Sequence, residues 1–207
     1  MIVKEVCVDN LDDAISAFRR GADRIELCSN LFEDGLSPSF KVLKNSKLKI
    51  PIPIRVMIRP HSKTFNYSNE DLIEMKKTIE FCKKEKFDGV VYGCLNNKLE
   101  LDLKKIEYLT KLSKPLKVII HKAIDLTLSP IESLNKILKL ENVDGVLSSG
   151  GESSASKGSE ILKKMIDISP NGFEMICAGK ITKENLESLH RKINGRYYHG
   201  RKIVGEL

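Results

Sequence analysis

The sequence predicts one α/β domain over residues 1–207, a TIM (β/α)8 barrel without a full closing eighth helix, and three observations predict it. The chain is 207 residues long, within the roughly 200 to 250 residues of a compact barrel and below the ~250 to 300 at which single cores divide. Two kinds of apolar segment interleave along it. One follows Asp, as in "ADRIEL" at 22, "FDGVVYG" at 87 and "VDGVLSSG" at 143. The other follows Pro, as in "PIPIRVMIRP" at 51, "PLKVIIHKA" at 115 and "GFEMICAG" at 172. Like segments recur after roughly 55 to 65 residues, twice the ~30 residues of one βα unit. Between them lie stretches with apolar residues three and four apart, the helical period.

Taken in order, a first strand at 2–8 leads into the amphipathic "NLDDAISAFRR", and "ADRIEL" supplies the second strand. After the third strand, "SNEDLIEMKKTIEFCKKEK" opens on Ser68 or Asn69 as a cap. The fourth strand precedes "LDLKKIEYLTKL", and the fifth precedes "SPIESLNKILKL", where Ser129 caps and Pro130 fits the first helical position. "SEILKKMIDI" follows the sixth strand. "TKENLESLHRKI", opened by Thr182, follows the seventh, and "RYYHG" makes the eighth. A doubly wound sheet is the alternative topology. Only "RKIVGEL" then remains, too short for a closing helix. Without that helix the outward residues Val6 and Val8 would meet water, and a large uncovered apolar patch calls for a partner. The expected cover is a second copy of the chain in a twofold homodimer, with Ile203 and Val204 buried at the contact.

Composition narrows the function. The net charge is +7 and the pI about 9.1, but the lysines are spread over nearly every helical stretch rather than gathered in a block. With no tryptophan and no basic run interleaved with aromatics, no nucleic-acid partner is expected. No apolar run approaches the ~20 residues of a membrane span, and the amino terminus has no apolar signal segment, so no membrane is expected and the predicted location is cytoplasmic. Five cysteines, Cys7, Cys28, Cys82, Cys94 and Cys177, at wide spacing spell neither a disulfide framework nor a CxxC zinc site. Reduced thiols are expected.

Period 2 sorts each strand into two faces. In the third strand Ile54, Val56 and Ile58 are wholly apolar and should meet the helices, which turns Arg55, Met57 and Arg59 inward. In the fifth, Lys117, Ile119 and His121 face inward by the same rule. Function in such a barrel sits at the C-terminal ends of the strands, which makes Cys7, Cys28, Arg59 and His121 the uppermost inward residues. Glu5 and Glu26 are expected one layer lower, kept ionised by Arg24 and Arg55 or forming with them a purely structural plug. The paired thiols of Cys7 and Cys28 allow three readings: a soft-metal site for Cu(I), a reactive thiolate, or inert buried thiols. Ser149, Gly150 and Gly151 after the sixth strand, with Gly179 after the seventh, offer backbone N–H groups to a phosphate or carboxylate, or simply let the chain turn. An enzyme on this frame would use His121 for proton transfer, Glu26 or Asp125 to orient it, and Arg59 to hold a small anionic ligand.

"GADRIELCSNLFEDGLSPS", "IRPHSKTFNYSNED", "IIHKAID", "VLSSGG" and "CAGKIT" together resemble, in order, the successive blocks of the CutC family, named for copper homeostasis. The resemblance implies a TIM barrel, an oligomer, Cu(I) binding and a role in copper homeostasis or tolerance. It places Glu5 and Cys7 in the family's first strand, Glu26 and Cys28 in its second, Arg59 in the third block, and His121 and Asp125 in the fifth. The chain carries Lys122, Ile124 and Lys180 where the family's usual residues differ, and Tyr198-His199 replaces most of a Val-His-Ser segment.

Overall fold

The computed structural model describes residues 2–207. Eight parallel strands close on themselves in sequence order, which sets aside the doubly wound sheet. They are β1 (Val3–Val8), β2 (Arg24–Leu27), β3 (Ile54–Met57), β4 (Gly89–Tyr92), β5 (Lys117–Ile120), β6 (Gly145–Ser148), β7 (Glu174–Cys177) and β8 (Tyr197–His199). Seven helices connect them among the described residues: α1 (Leu11–Arg19), α2 (Phe40–Lys49), α3 (Asn69–Lys84), α4 (Leu103–Ser113), α5 (Pro130–Ile137), α6 (Ser159–Ile168) and α7 (Leu186–Ile193). None is long and apolar enough to cross a membrane.

The core has two parts, divided by the pleat. Outward strand residues such as Val6, Ile25, Val56, Val118 and Val146 pack under the helices, while Cys7, Cys28, Met57, Val91, Ile119, Leu147 and Ile176 fill the lumen. Helix starts follow side-chain chemistry. Ser68 Oγ accepts from the Asp71 N–H at 3.2 Å and the Asp71 carboxylate accepts from the Ser68 N–H at 2.8 Å, a reciprocal capping box. Ser129 Oγ accepts from Glu132 N–H with Pro130 at the first helical position. Thr182 does not open α7, which starts four residues later after Asn185; the Thr182 N–H instead donates to Asn185 Oδ1 at 2.8 Å. The helix α2 was not among the predicted ones, because its sequence buries Ser46 and exposes Leu48, blurring the apolar stripe.

The lower lumen is filled by ions. Arg24 pairs with Glu5 and, at 2.8 Å, with Glu174; Arg55 pairs with Glu174 at 2.7 Å and Asp88 at 3.2 Å. These guanidinium groups are buried, so the pairing is what permits their charge there. The structural plug is therefore present, with Glu174 in it and Glu26, which pairs with neither arginine, outside it.

The closure between β8 and β1 differs from expectation. Residues 200–207 carry no helix, yet Val6 and Val8 are fully buried within the single chain. The tail crosses the gap: Arg201 reaches Asp13 of α1 at 3.7 Å, and Lys202 bridges to Thr182 on the other side. Ile203 and Val204 are buried by this chain's own atoms. The uncovered patch that called for a second copy is therefore not there.

Candidate functional site

Strand register decides which side chains meet at the mouth. The pairing of β1 with β2 sets Glu5 beside Arg24 and Cys7 beside Glu26, so the two Glu-apolar-Cys strands run two residues out of step, as the tilt of barrel strands demands. Glu26 thus lies level with Cys7 rather than a layer below it, and Cys28 stands above. Cys7 Sγ donates to Glu26 Oε1 at 3.4 Å and lies 3.8 Å from Cys28 Sγ. Cys28 is fully buried and its thiol reaches the Val8 carbonyl at 3.3 Å.

A residue absent from the expected site joins them. In β8, Tyr198 packs outward and Tyr197 inward, so His199, two positions on, also points into the lumen. Its Nδ1 is 2.8 Å from Glu5 Oε1 and its Nε2 is 4.0 Å from Glu26 Oε1. Donor atoms of Cys7, Glu26 and His199 all lie within 4.8 Å of one another. The inward alternation of "RYYHG" was the available signal, weakened by the shortness of the strand.

Electrostatics bind this cluster to the plug. Burial opposes ionisation of Glu5, but Arg24, His199 and Arg55 outweigh it and hold the carboxyl at about 2. Burial raises Glu26 above the usual carboxylate range. The hydrogen bond with Cys28, burial and the nearby Glu26 push the Cys7 thiol well above its ordinary value. Burial favours neutral His199, yet Glu26 and Glu5 together raise its pKa. Cys82, in α3, is buried, and burial pushes its thiol up to about 12.

The mouth opens into a cavity of about 870 Å³ lined by Cys7, Glu26, Arg59, His121, Asp125, Ser149, Gly151, Gly179 and His199, with Lys122 and Lys180 at its rim. Cys28 and Gly150 do not line it. Arg59 Nη1 donates to the carbonyls of Glu33 at 2.8 Å and Gly35 at 3.1 Å, and its guanidinium lies 4.8 Å from the centre of the Phe65 ring. Phe65 also packs edge-on against His121 at 4.9 Å. His121 Nδ1 accepts from the Ala123 N–H at 3.1 Å, which places its proton on Nε2, an atom with no partner among the described residues. Burial and then Arg59 lower its pKa to about 3, so the ring is neutral.

Two expectations fail here. Neither Glu26 nor Asp125 hydrogen-bonds His121; Glu26 turns to Cys7, and Asp125 is drawn to the loop after β6. Of the backbone N–H groups expected to be free for an anion, three are also taken, those of the loop after β6. Those of Ser149 and Gly151 donate to the Asp125 carboxylate at 2.8 and 2.9 Å, and that of Gly150 donates to Ser148 Oγ at 2.8 Å. Lys122 Nζ completes the arrangement, 3.2 Å from Asp125. A carboxylate five residues past the end of β5 thus occupies donors that a diffusing anion would need. Gly179 turns at φ 107° against the backbone of Ala155, where a Cβ would stand 2.9 Å from the Ala155 nitrogen.

These features define a TIM-barrel protein with a lumen filled by ion-paired side chains, whose mouth carries thiol, imidazole and carboxylate groups. The sequence matches the CutC family over residues 2–204, and the chain belongs to that family. It is 37% identical over 195 residues to the copper homeostasis protein cutC homolog of Homo sapiens, covering 94% of this chain and 71% of that protein. The homolog of the same name from Dictyostelium discoideum is 35% identical over 224 residues, 94% of this chain and 80% of that one. The crystal structure described as a putative copper homeostasis protein CutC from Streptococcus agalactiae superposes with a TM-score of 0.92 at 26% identity, covering 98% of this chain and all of that one.

Proposed function

We propose that this chain acts in copper homeostasis by holding one Cu(I) ion on Cys7 and Cys28. The observation that carries the reading is the pair of unbridged thiols on adjacent strands, their sulfurs 3.8 Å apart, in a family whose members are named for copper. Thiolate sulfur suits a soft monovalent ion, so the donor set fits. Bound copper would supply the positive charge that lets both sulfurs shed their protons. Glu26, hydrogen-bonded to Cys7 Sγ and with a raised pKa, is the group placed to take the first of them at Oε1. A cytoplasmic setting, where thiols stay reduced, suits this chemistry. The test is anaerobic Cu(I) titration against a competing chelator. The parent and Cys82→Ser should bind one equivalent alike, while Cys7→Ser and Cys28→Ser lose it; equal affinity in all four would overturn the reading.

A second reading, an enzyme acting on a small anionic metabolite, is favoured by one feature. His121 and Arg59 line the cavity, and among the described residues His121 Nε2–H and Arg59 Nε are buried without a partner. Melting-temperature shifts across carboxylated and phosphorylated metabolites, compared in the parent and in His121→Ala, would report on it.

A further inference from the structure

The cluster of Cys7, Glu26 and His199 is a second way for the mouth to hold an ion, and it is not made of soft donors alone. We propose that these three side chains form a site for a divalent ion of the zinc class, with one position open to the cavity. The site shares Cys7 with the proposed copper pair but stands without that reading.

Geometry comes first. Ligand bonds of about 2.3 Å to sulfur and 2.0 to 2.2 Å to nitrogen and oxygen place tetrahedral ligands roughly 3.4 to 3.6 Å from each other. Here Cys7 Sγ and Glu26 Oε1 are 3.4 Å apart, Glu26 Oε1 and His199 Nε2 are 4.0 Å apart, and no pair exceeds 4.8 Å. Side-chain rotations that close these gaps bring all three to bonding distance. A thiolate, an imidazole and a carboxylate together match the mixed donors that divalent zinc accepts, whereas Cu(I) takes the thiols.

Two further observations point to a ligand. Glu26 is 3% exposed, and its Oε2 has no hydrogen-bond partner among the described residues. A buried carboxylate with one oxygen bare is costly, and a cation held by that carboxylate, through Oε1 or through both oxygens, offsets the cost. Glu5 meanwhile holds His199 by Nδ1 at 2.8 Å, the carboxylate–histidine arrangement that orients a metal-binding imidazole and leaves Nε2 for the ion. Because Cys7, Glu26 and His199 all line the mouth cavity, the fourth position faces it. That is the pattern of an open metal site, in which water or an oxygen of a small carboxylate or phosphate takes the remaining place. Cys28 does not line the cavity, and its thiol is engaged by the Val8 carbonyl.

The experiment uses Zn2+ alone, titrated into the full reduced chain with a chromophoric chelator, and Co2+ as a spectroscopic stand-in. One equivalent should bind. Cys7→Ser, Glu26→Gln and His199→Gln should each weaken it at least ~10-fold, the lower end of what the loss of even a supporting contact costs, while Cys28→Ser leaves it unchanged. Cu(I) binding should respond oppositely, lost in Cys28→Ser and kept in His199→Gln, so either reading can fail alone. Parent protein with Co2+ should show intense tetrahedral visible bands and a thiolate charge-transfer band that vanishes in Cys7→Ser, a signature readable even if His199→Gln fails to fold. No stoichiometric Zn2+ binding, full affinity in a folded His199→Gln variant, or a weak six-coordinate cobalt spectrum overturns the proposal.

Discussion

Replacing Arg55 with Met isolates the ion plug. The guanidinium is fully buried, 2.7 Å from Glu174, 3.2 Å from Asp88 and 3.9 Å from Glu5. Methionine fills most of the volume, so the main loss is electrostatic. Breaking a buried ion pair by removing one partner costs about 3 to 5 kcal/mol. Glu174 would keep Arg24 at 2.8 Å and Lys117 at 3.6 Å, and Glu5 would keep Arg24 and His199. The lower end, about 3 kcal/mol, therefore applies. For a domain of this size it lowers Tm by roughly 6 to 12 °C. The double variant Arg55→Met/Glu174→Gln removes the stranded carboxylate as well. It should recover part of the loss, with a coupling of about 1 to 3 kcal/mol. Urea unfolding at neutral pH, followed by circular dichroism, measures both. A loss under ~1 kcal/mol in the single variant, or strictly additive losses in the double, would mean that Arg55 is tolerated by the lumen rather than required by its carboxylates.

Acid should weaken the fold in a defined window. Glu5 lies at about 2 against an ordinary 4.5, so its contribution of about 3 kcal/mol is complete above pH 4.5 and is lost as pH falls toward 2. Glu174 is lowered too and acts in the same sense. Urea midpoints unchanged from pH 7 down to 3 would contradict both. Asp125→Asn leaves one acceptor oxygen and sets an amide NH2 against the N–H of either Ser149 or Gly151, which donate to different carboxylate oxygens. It should cost about 2 to 3 kcal/mol and speed hydrogen exchange at one or both of those amides, and slow exchange at both would disprove the carboxylate's role in the loop. Gly93→Ala would put a Cβ 2.7 Å from His121 Nδ1, so the imidazole must swing; the His121 ring resonances should shift while the global fold survives, and unshifted resonances refute the contact. The strands are covered by the chain's own atoms, so a monomer should stay folded: diluted until sedimentation shows a single chain, the protein should keep its folded circular-dichroism signal at 25 °C. Loss of that signal in the dissociated chain would show otherwise.

The fold was legible because its signals are redundant. Six apolar segments of two alternating kinds, one strand before and one after them, and the mixed inward and plain outward faces of the third and fifth leave little but a closed parallel barrel. The plug was half legible: Glu5, Arg24, Glu26 and Arg55 could be placed on the inner face by alternation, but Glu174 was read only as part of an apolar strand. The mouth was harder for a specific reason. Alternation tells which way a side chain points but not how far along the axis it stands, and the two-residue offset between β1 and β2 is a long-range property. That offset carried Glu26 up to Cys7. Asp125 was misplaced for another reason, since a loop carboxylate and a set of loop N–H groups satisfy each other before either serves a ligand. His199 lay in a strand of three residues, too short for periodicity to speak.

The pairing of β1 with β8 joins Val3 to Tyr197 and Glu5 to His199, residues separated by nearly the entire barrel. Until β8 has been made, one edge of β1 has no partner, and an exposed parallel edge is both slow to satisfy and open to wrong pairing. His199 comes from that last strand, whereas Cys7 and Glu26 come from the first two. The mouth cluster consequently cannot exist in a partly folded chain, and an ion seated on it would hold the seam shut, linking the capacity to bind metal to completion of the barrel.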